Sequence, residues 1–148
     1  MSIIKQYPGF VYQFGSSTTD TFSDMVAMSD GSLLITGKSL KSWGFTTVVE
    51  PYDYSEDVYI AKFKPATQTV EWVTFLGSGP GEAQDYSRAI AVDGNDDFIV
   101  VGSVGGSLAH KGAISTDGNG YVAKYNSNGE LQWITHEGAA AGSGNVYG

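Results

Sequence analysis

Two unlike strand-turn-strand segments alternate along this chain with a period near 62 residues, and that internal repetition limits the fold more than any other feature. In the segment DVYIAKFKPATQTVEWVTFLG, from Asp57 to Gly77, the residues Tyr59, Ala61, Lys62 and Phe63 match Tyr121, Ala123, Lys124 and Tyr125 of GYVAKYNSNGELQWITHEG at a spacing of 62. Trp72 and Gly77 match Trp133 and Gly138 at 61. A shorter copy, FVYQFG, ends at Gly15, 62 residues before Gly77. The other segment, FSDMVAMSDGSLLITGKS, starts at Phe22 and recurs as YSRAIAVDGNDDFIVVGS from Tyr86, a spacing of 64.

Each segment reads as a hairpin. Short β-prone runs at 26–28 and 33–36 flank Ser-Asp-Gly-Ser, and runs at 90–92 and 98–101 flank Asp-Gly-Asn-Asp, giving strands 1 and 2 of a unit. Runs at 58–63 and 70–76, and at 121–125 and 131–135, supply strands 3 and 4. Twenty glycines against four prolines, many in Asn-Gly, Asp-Gly and Ser-Gly pairs, suit short strands and tight turns rather than helix. The expected fold class is all-β, built of consecutive four-stranded antiparallel β-propeller blades in an incomplete ring, with a solenoid as the structural rival.

The order and residue types of these elements resemble the seven-bladed β-propeller repeat often called the SBBP repeat. The shared features are the strand end Ala91-Val92-Asp93, its Asn/Asp/Gly turn, and the apolar strand closing on Gly102. Ala123-Lys124-Tyr125, Trp133 and the closing Gly138 follow in the same order. The first copy departs from it, with Ala27-Met28-Ser29 and a turn shorter by one residue. The resemblance implies a module of a bacterial-type surface or secreted protein, hence an extracellular or cell-surface location, and it brings no catalytic motif with it. On this division residues 1–15 are the final strand of a preceding blade, 16–77 blade one, 78–138 blade two, and 139–148 the start of a further repeat. Two blades do not close a ring, so either the chain is part of a longer one or several copies complete the ring, three copies giving six blades.

Charge and composition narrow the partners. A formal charge of −8 argues against nucleic acid and anionic membrane surfaces, and the absence of cysteine excludes disulfides and thiolate metal sites. The first ten residues lack the apolar run of a secretory leader, and no stretch approaches a membrane span, so membrane insertion is not expected. The expected partners are the chain itself or further propeller blades, with carbohydrate or protein as the other classes.

Candidate sites follow from position. Trp72 and Trp133 sit at equivalent places in strand 4 and are expected to dock neighbouring blades, with Ala91 and Ala123, and also Ala27, Ala61 and Ala89, letting strands crowd together. The long 2–3 connection at 40–56 carries Trp43, Phe45, Tyr52 and Tyr54, a possible ligand face on which rings could stack against a sugar, the alternative being that they cover the sheet edge. The turn Asp93 to Asp97 spaces carboxylates as a calcium loop does but lacks the glycine and distal Glu of one, so it reads as an acidic hairpin turn, as does Asp117-Gly118-Asn119-Gly120. His110 and His136 fit no nucleophile or zinc arrangement and read as surface residues. Glu71 with Glu82, and Asp53 with Glu56, are carboxylate pairs of the kind chance supplies among sixteen acids. No catalytic, cofactor or metal residue is expected. The reading is a non-enzymatic binding or structural module, with a lectin-like propeller completed by oligomerisation and an accessory region of a hydrolase as alternatives.

Overall fold

The structure, a computed structural model, describes residues 11–44, 46–53, 56–79, 84–108, 111–113 and 120–137. Among the described residues it is all-β, with nine strands in two sheets. In the first, β1 (Asp20–Ala27), β2 (Leu33–Ser39), β4 (Asp57–Lys64) and β5 (Thr69–Leu76) form an antiparallel meander, and the short β3 (Thr47–Val48) adds in parallel to the outer edge of β5. In the second, β6 (Tyr86–Val92), β7 (Phe98–Ser103), β8 (Gly120–Tyr125) and β9 (Leu131–Glu137) repeat the meander.

All eight runs expected from alternation are strands, but β1 and β6 begin earlier than their apolar residues indicate. The polar stretches Asp20 to Asp24 and Tyr86 to Arg88 extend them through a register shift, between Phe22 and Asp24 in one and Ser87 and Ala89 in the other. A second irregularity also recurs, between Lys62 and Phe63 opposite β5 and between Lys124 and Tyr125 opposite β9. Both irregularities fall at corresponding places in the two sheets. The copy FVYQFG is not a strand over its described part: residues 11–16 run without ladder pairing, and Phe10 lies outside the described residues.

Side-chain alternation gives each sheet two faces. On the first sheet the cross-strand row Val26, Leu34, Lys62, Trp72 and the row Asp24, Thr36, Ile60, Thr74 share one face. On the second the facing rows are Ile90, Val100, Ala123, Ile134 and Val92, Phe98, Tyr125, Leu131. These faces meet in one core that joins Leu34, Val58, Ile60 and Leu76 to Phe98, Val100, Tyr121, Tyr125 and Ile134, all essentially inaccessible. Each such side chain contributes about 1.5–3 kcal/mol on burial, so the sheet-on-sheet contact is the main source of stability. A second core lies on the outer face of the first sheet, where Ile35, Tyr59, Ala61, Phe63, Val73 and Phe75 are covered by Phe14, Trp43 and Tyr52.

Candidate functional site

Trp72 lies in the contact between the sheets. Its indole stacks on Phe98 at 6.2 Å and 16°, and Phe98 in turn stacks on Tyr125 at 5.1 Å and 7°. The turn before β9 is shaped to admit it: Gly129 has φ +83, and a Cβ there would approach the indole Cζ3 to 2.9 Å. Polar groups fix the register of the contact, since Asp24 accepts the Ile90 N–H at 3.0 Å and Asp96 accepts the Ser29 N–H at 2.8 Å and its hydroxyl at 2.5 Å. Ala123 is fully buried in this contact.

Ala91 and Trp133 do not lie between the two described sheets. Strand alternation puts both in the row Ala91, Ile99, Lys124, Trp133, on the face of the second sheet that points away from the first. Trp133 is 40% exposed and Ile99 37%, whereas their counterparts in the first sheet, Trp72 and Leu34, are partly and fully buried respectively. The same residue types at the same repeat positions are thus covered once and uncovered once. Lys124 on this row holds Asp93 at 3.1 Å and Asp97 at 3.6 Å.

The aromatic 2–3 connection is not an open stacking platform in its described part. Trp43 is 1% exposed, 4.7 Å from the Tyr59 ring and 5.7 Å from Phe14, with its indole N–H donated to Asp20 and to Ser39 at 3.2 Å each. Tyr52 is half-buried edge-on to Phe75 at 5.7 Å and donates its hydroxyl to the Leu40 carbonyl. Phe45 and Tyr54 lie outside the described residues. The connection covers the sheet edge because Val49 and Glu50 bond to Val73 and Phe75 of β5, which shields the row of backbone groups that an edge strand presents.

A feature that repeat matching alone passes over is a carboxylate clasp at the start of each unit. Asp20 accepts the Ser16 N–H at 2.7 Å and its hydroxyl at 3.0 Å, and Asp85 accepts the Ser78 N–H at 2.8 Å and its hydroxyl at 2.9 Å. The signal was present as Gly15-Ser16 and Gly77-Ser78, each followed by an Asp just before strand 1. Burial pushes the Asp85 carboxyl up to about 6, with the N–H groups of Ser78 and Gly105 acting in the opposite direction.

Beyond Asp85, one row of the second sheet is polar where its counterpart is apolar. Ser87, Gly102, Tyr121 and His136 stand side by side, matching Phe22, Gly37, Tyr59 and Phe75. His136 is buried rather than at the surface, and both its ring nitrogens lack a partner among the described residues, as do the Ser87 and Tyr121 hydroxyls. Such groups cost about 1–3 kcal/mol each. His136→Phe, which installs the residue of the first sheet, is therefore expected to raise the urea-unfolding free energy by about 1 kcal/mol or more. A loss of stability would show that the imidazole has a partner worth keeping.

The remaining acids are engaged. Asp93 accepts the Asn95 N–H, and that bond with the Lys124 ammonium holds its carboxyl below the usual range. Glu71 pairs with Lys62 and Lys64, Asp53 with Lys111, and Glu56 with Lys38. Glu82, His110 and Asp117 to Asn119 lie outside the described residues. No group of three or more His, Asp or Glu side chains is arranged to hold a metal ion among the described residues. No helix among them is long and apolar enough to cross a membrane. Compared with known proteins, the chain matches no family model, and no curated protein matches it. What defines the site is therefore its own geometry: an all-β pair of equivalent sheets with one repeat face covered and the next uncovered.

Proposed function

We propose that the two sheets are consecutive β-propeller blades and that the chain is a non-enzymatic binding or structural module whose partners are further blades or copies of itself. The observation that carries this reading is the contrast between Trp72 and Trp133. Trp72 stacks on the neighbouring sheet, and its counterpart stands 40% exposed on a face of matching composition, with Ile99, Val101, Val122 and Ala91 around it. Large aromatic anchors of this kind dominate binding energy at interfaces. The resemblance to SBBP-type repeats supports the same reading and a surface or secreted setting. Burial of Trp43 leaves the carbohydrate-binding alternative with less to favour it.

Sedimentation equilibrium on the intact chain and on Trp133→Ser tests the proposal. The chain is expected to self-associate with concentration, and loss of the indole to weaken association by about 2 kcal/mol, roughly thirtyfold in Kd. A chain that stays monomeric at every concentration, or association indifferent to Trp133, would refute it.

A further inference from the structure

On the outer face of the first sheet the β2, β4 and β5 residues are buried while Phe22 and Met25 of β1 stand exposed, and the repeat identifies the cover. Phe14 and Tyr12 stand 62 residues before Leu76 and Thr74, which β5 buries against the second sheet. On the outer face Tyr12 stacks on Phe63 at 5.2 Å, while Phe14 lies 5.7 Å from both Phe63 and Trp43. Phe63 is the counterpart of Tyr125, a residue of the covered interface. Residues 11–16 thus lie where a fourth strand of a neighbouring sheet would.

Beside them the β1 edge of the face is open. A cleft of about 430 Å³ runs between Phe14 and Phe22 over Ile35 and Tyr59, and Phe22 and Met25 beside it are 62% and 55% exposed. Ile35 and Tyr59 are 8% and 4% exposed beneath this cleft, and their counterparts in the second sheet, Val100 and Tyr121, are fully buried in the core they share with Leu34, Val58 and Ile60. The molecule therefore contains a filled version of the same seat. The residues at the positions of Leu34, Ile60 and Trp72 on the other exposed face are Ile99, Val122 and Trp133.

We propose that residues 11–16 are an intramolecular cap on this seat, and that the partner it fits is a second copy of the chain presenting Ile99, Val122 and Trp133 head-to-tail. The proposal rests on the reading of the sheets as stacking repeats. Strand β9 of the second copy and the cap compete for one position over Phe63, so the cap sets how strongly copies join. A head-to-tail contact of this kind builds rings or open stacks, and weakening it limits uncontrolled growth.

The test is sedimentation velocity on the intact chain, on Tyr12→Ser/Phe14→Ser, and on that variant with Trp133→Ser added. The cap variant, with its β circular dichroism retained, is expected to associate about tenfold more tightly or better, and Trp133→Ser to abolish the gain. A folded cap variant that associates no better than the parent, or a gain that survives Trp133→Ser, overturns the cap. Should the variant not fold, hydroxyl-radical footprinting of the unmodified chain decides. The Tyr12 and Phe14 side chains are expected to become more accessible as concentration rises, while unchanged or reduced accessibility overturns the proposal. Association that never depends on Trp133 in any background would instead defeat the stacking reading itself.

Discussion

Gly102→Ala and Gly37→Ala are each expected to destabilise the protein by about 3 kcal/mol or more, because neither site has room for one carbon. A Cβ at Gly37 would fall on the Thr21 carbonyl oxygen, and one at Gly102 on the Tyr86 carbonyl oxygen, where the bulged first strand closes on the second. The strand-3 tyrosines fill the remaining space, with a ring carbon of Tyr59 or Tyr121 at 2.9 Å from the same point. A backbone carbonyl cannot swing aside as a side-chain end does, so relief would require breaking the pairing of β1 with β2 or of β6 with β7. Urea unfolding of the two variants should show similar losses, since the sites are repeat equivalents. A loss under 1 kcal/mol at either would mean that the bulges yield, roughly as an exposed strand glycine would.

Trp43→Ala is expected to cost about 3–5 kcal/mol, the range for removing a buried large ring. The indole is enclosed by Tyr59, Phe75 and Phe14, and its N–H joins Asp20 and Ser39. Truncation therefore opens a cavity and also frees one bond to the Asp20 clasp. A ring serving as a ligand platform would be cheap to remove, so a cost near zero would restore the stacking-surface interpretation of this connection. Thermal or urea unfolding distinguishes the two directly.

Strand positions were legible because alternation and turn residues coincide at every hairpin, as in Leu33 to Thr36 or Tyr121 to Tyr125. The early starts of β1 and β6 were not, because Asp20, Ser23 and Asp24 or Ser87 and Arg88 lack the apolar alternation that marks a strand, and the bulge breaks the period. Trp72 and Ala123 lie between the two sheets. Trp133 and Ala91 stand on the face that points away from the first sheet, and repeat equivalence says what a face resembles and not whether anything covers it. Trp43 shows the opposite error: a long loop with aromatics looks exposed from sequence, but an aromatic ring is also the cheapest lid for an apolar face. His136 was legible only by comparison with Phe75, a substitution that departs from the repeat and carries no motif.

Trp72 and Trp133 hold corresponding places in the two sheets, stacked on a neighbour in the first case and exposed in the second. Urea unfolding of Trp72→Ala and Trp133→Ala at a protein concentration low enough to keep single chains tests it most directly. A loss of about 2 kcal/mol or more is expected for Trp72→Ala, which empties the stack on Phe98, and a change within about 0.5 kcal/mol for Trp133→Ala. Equal losses at the two positions would contradict it.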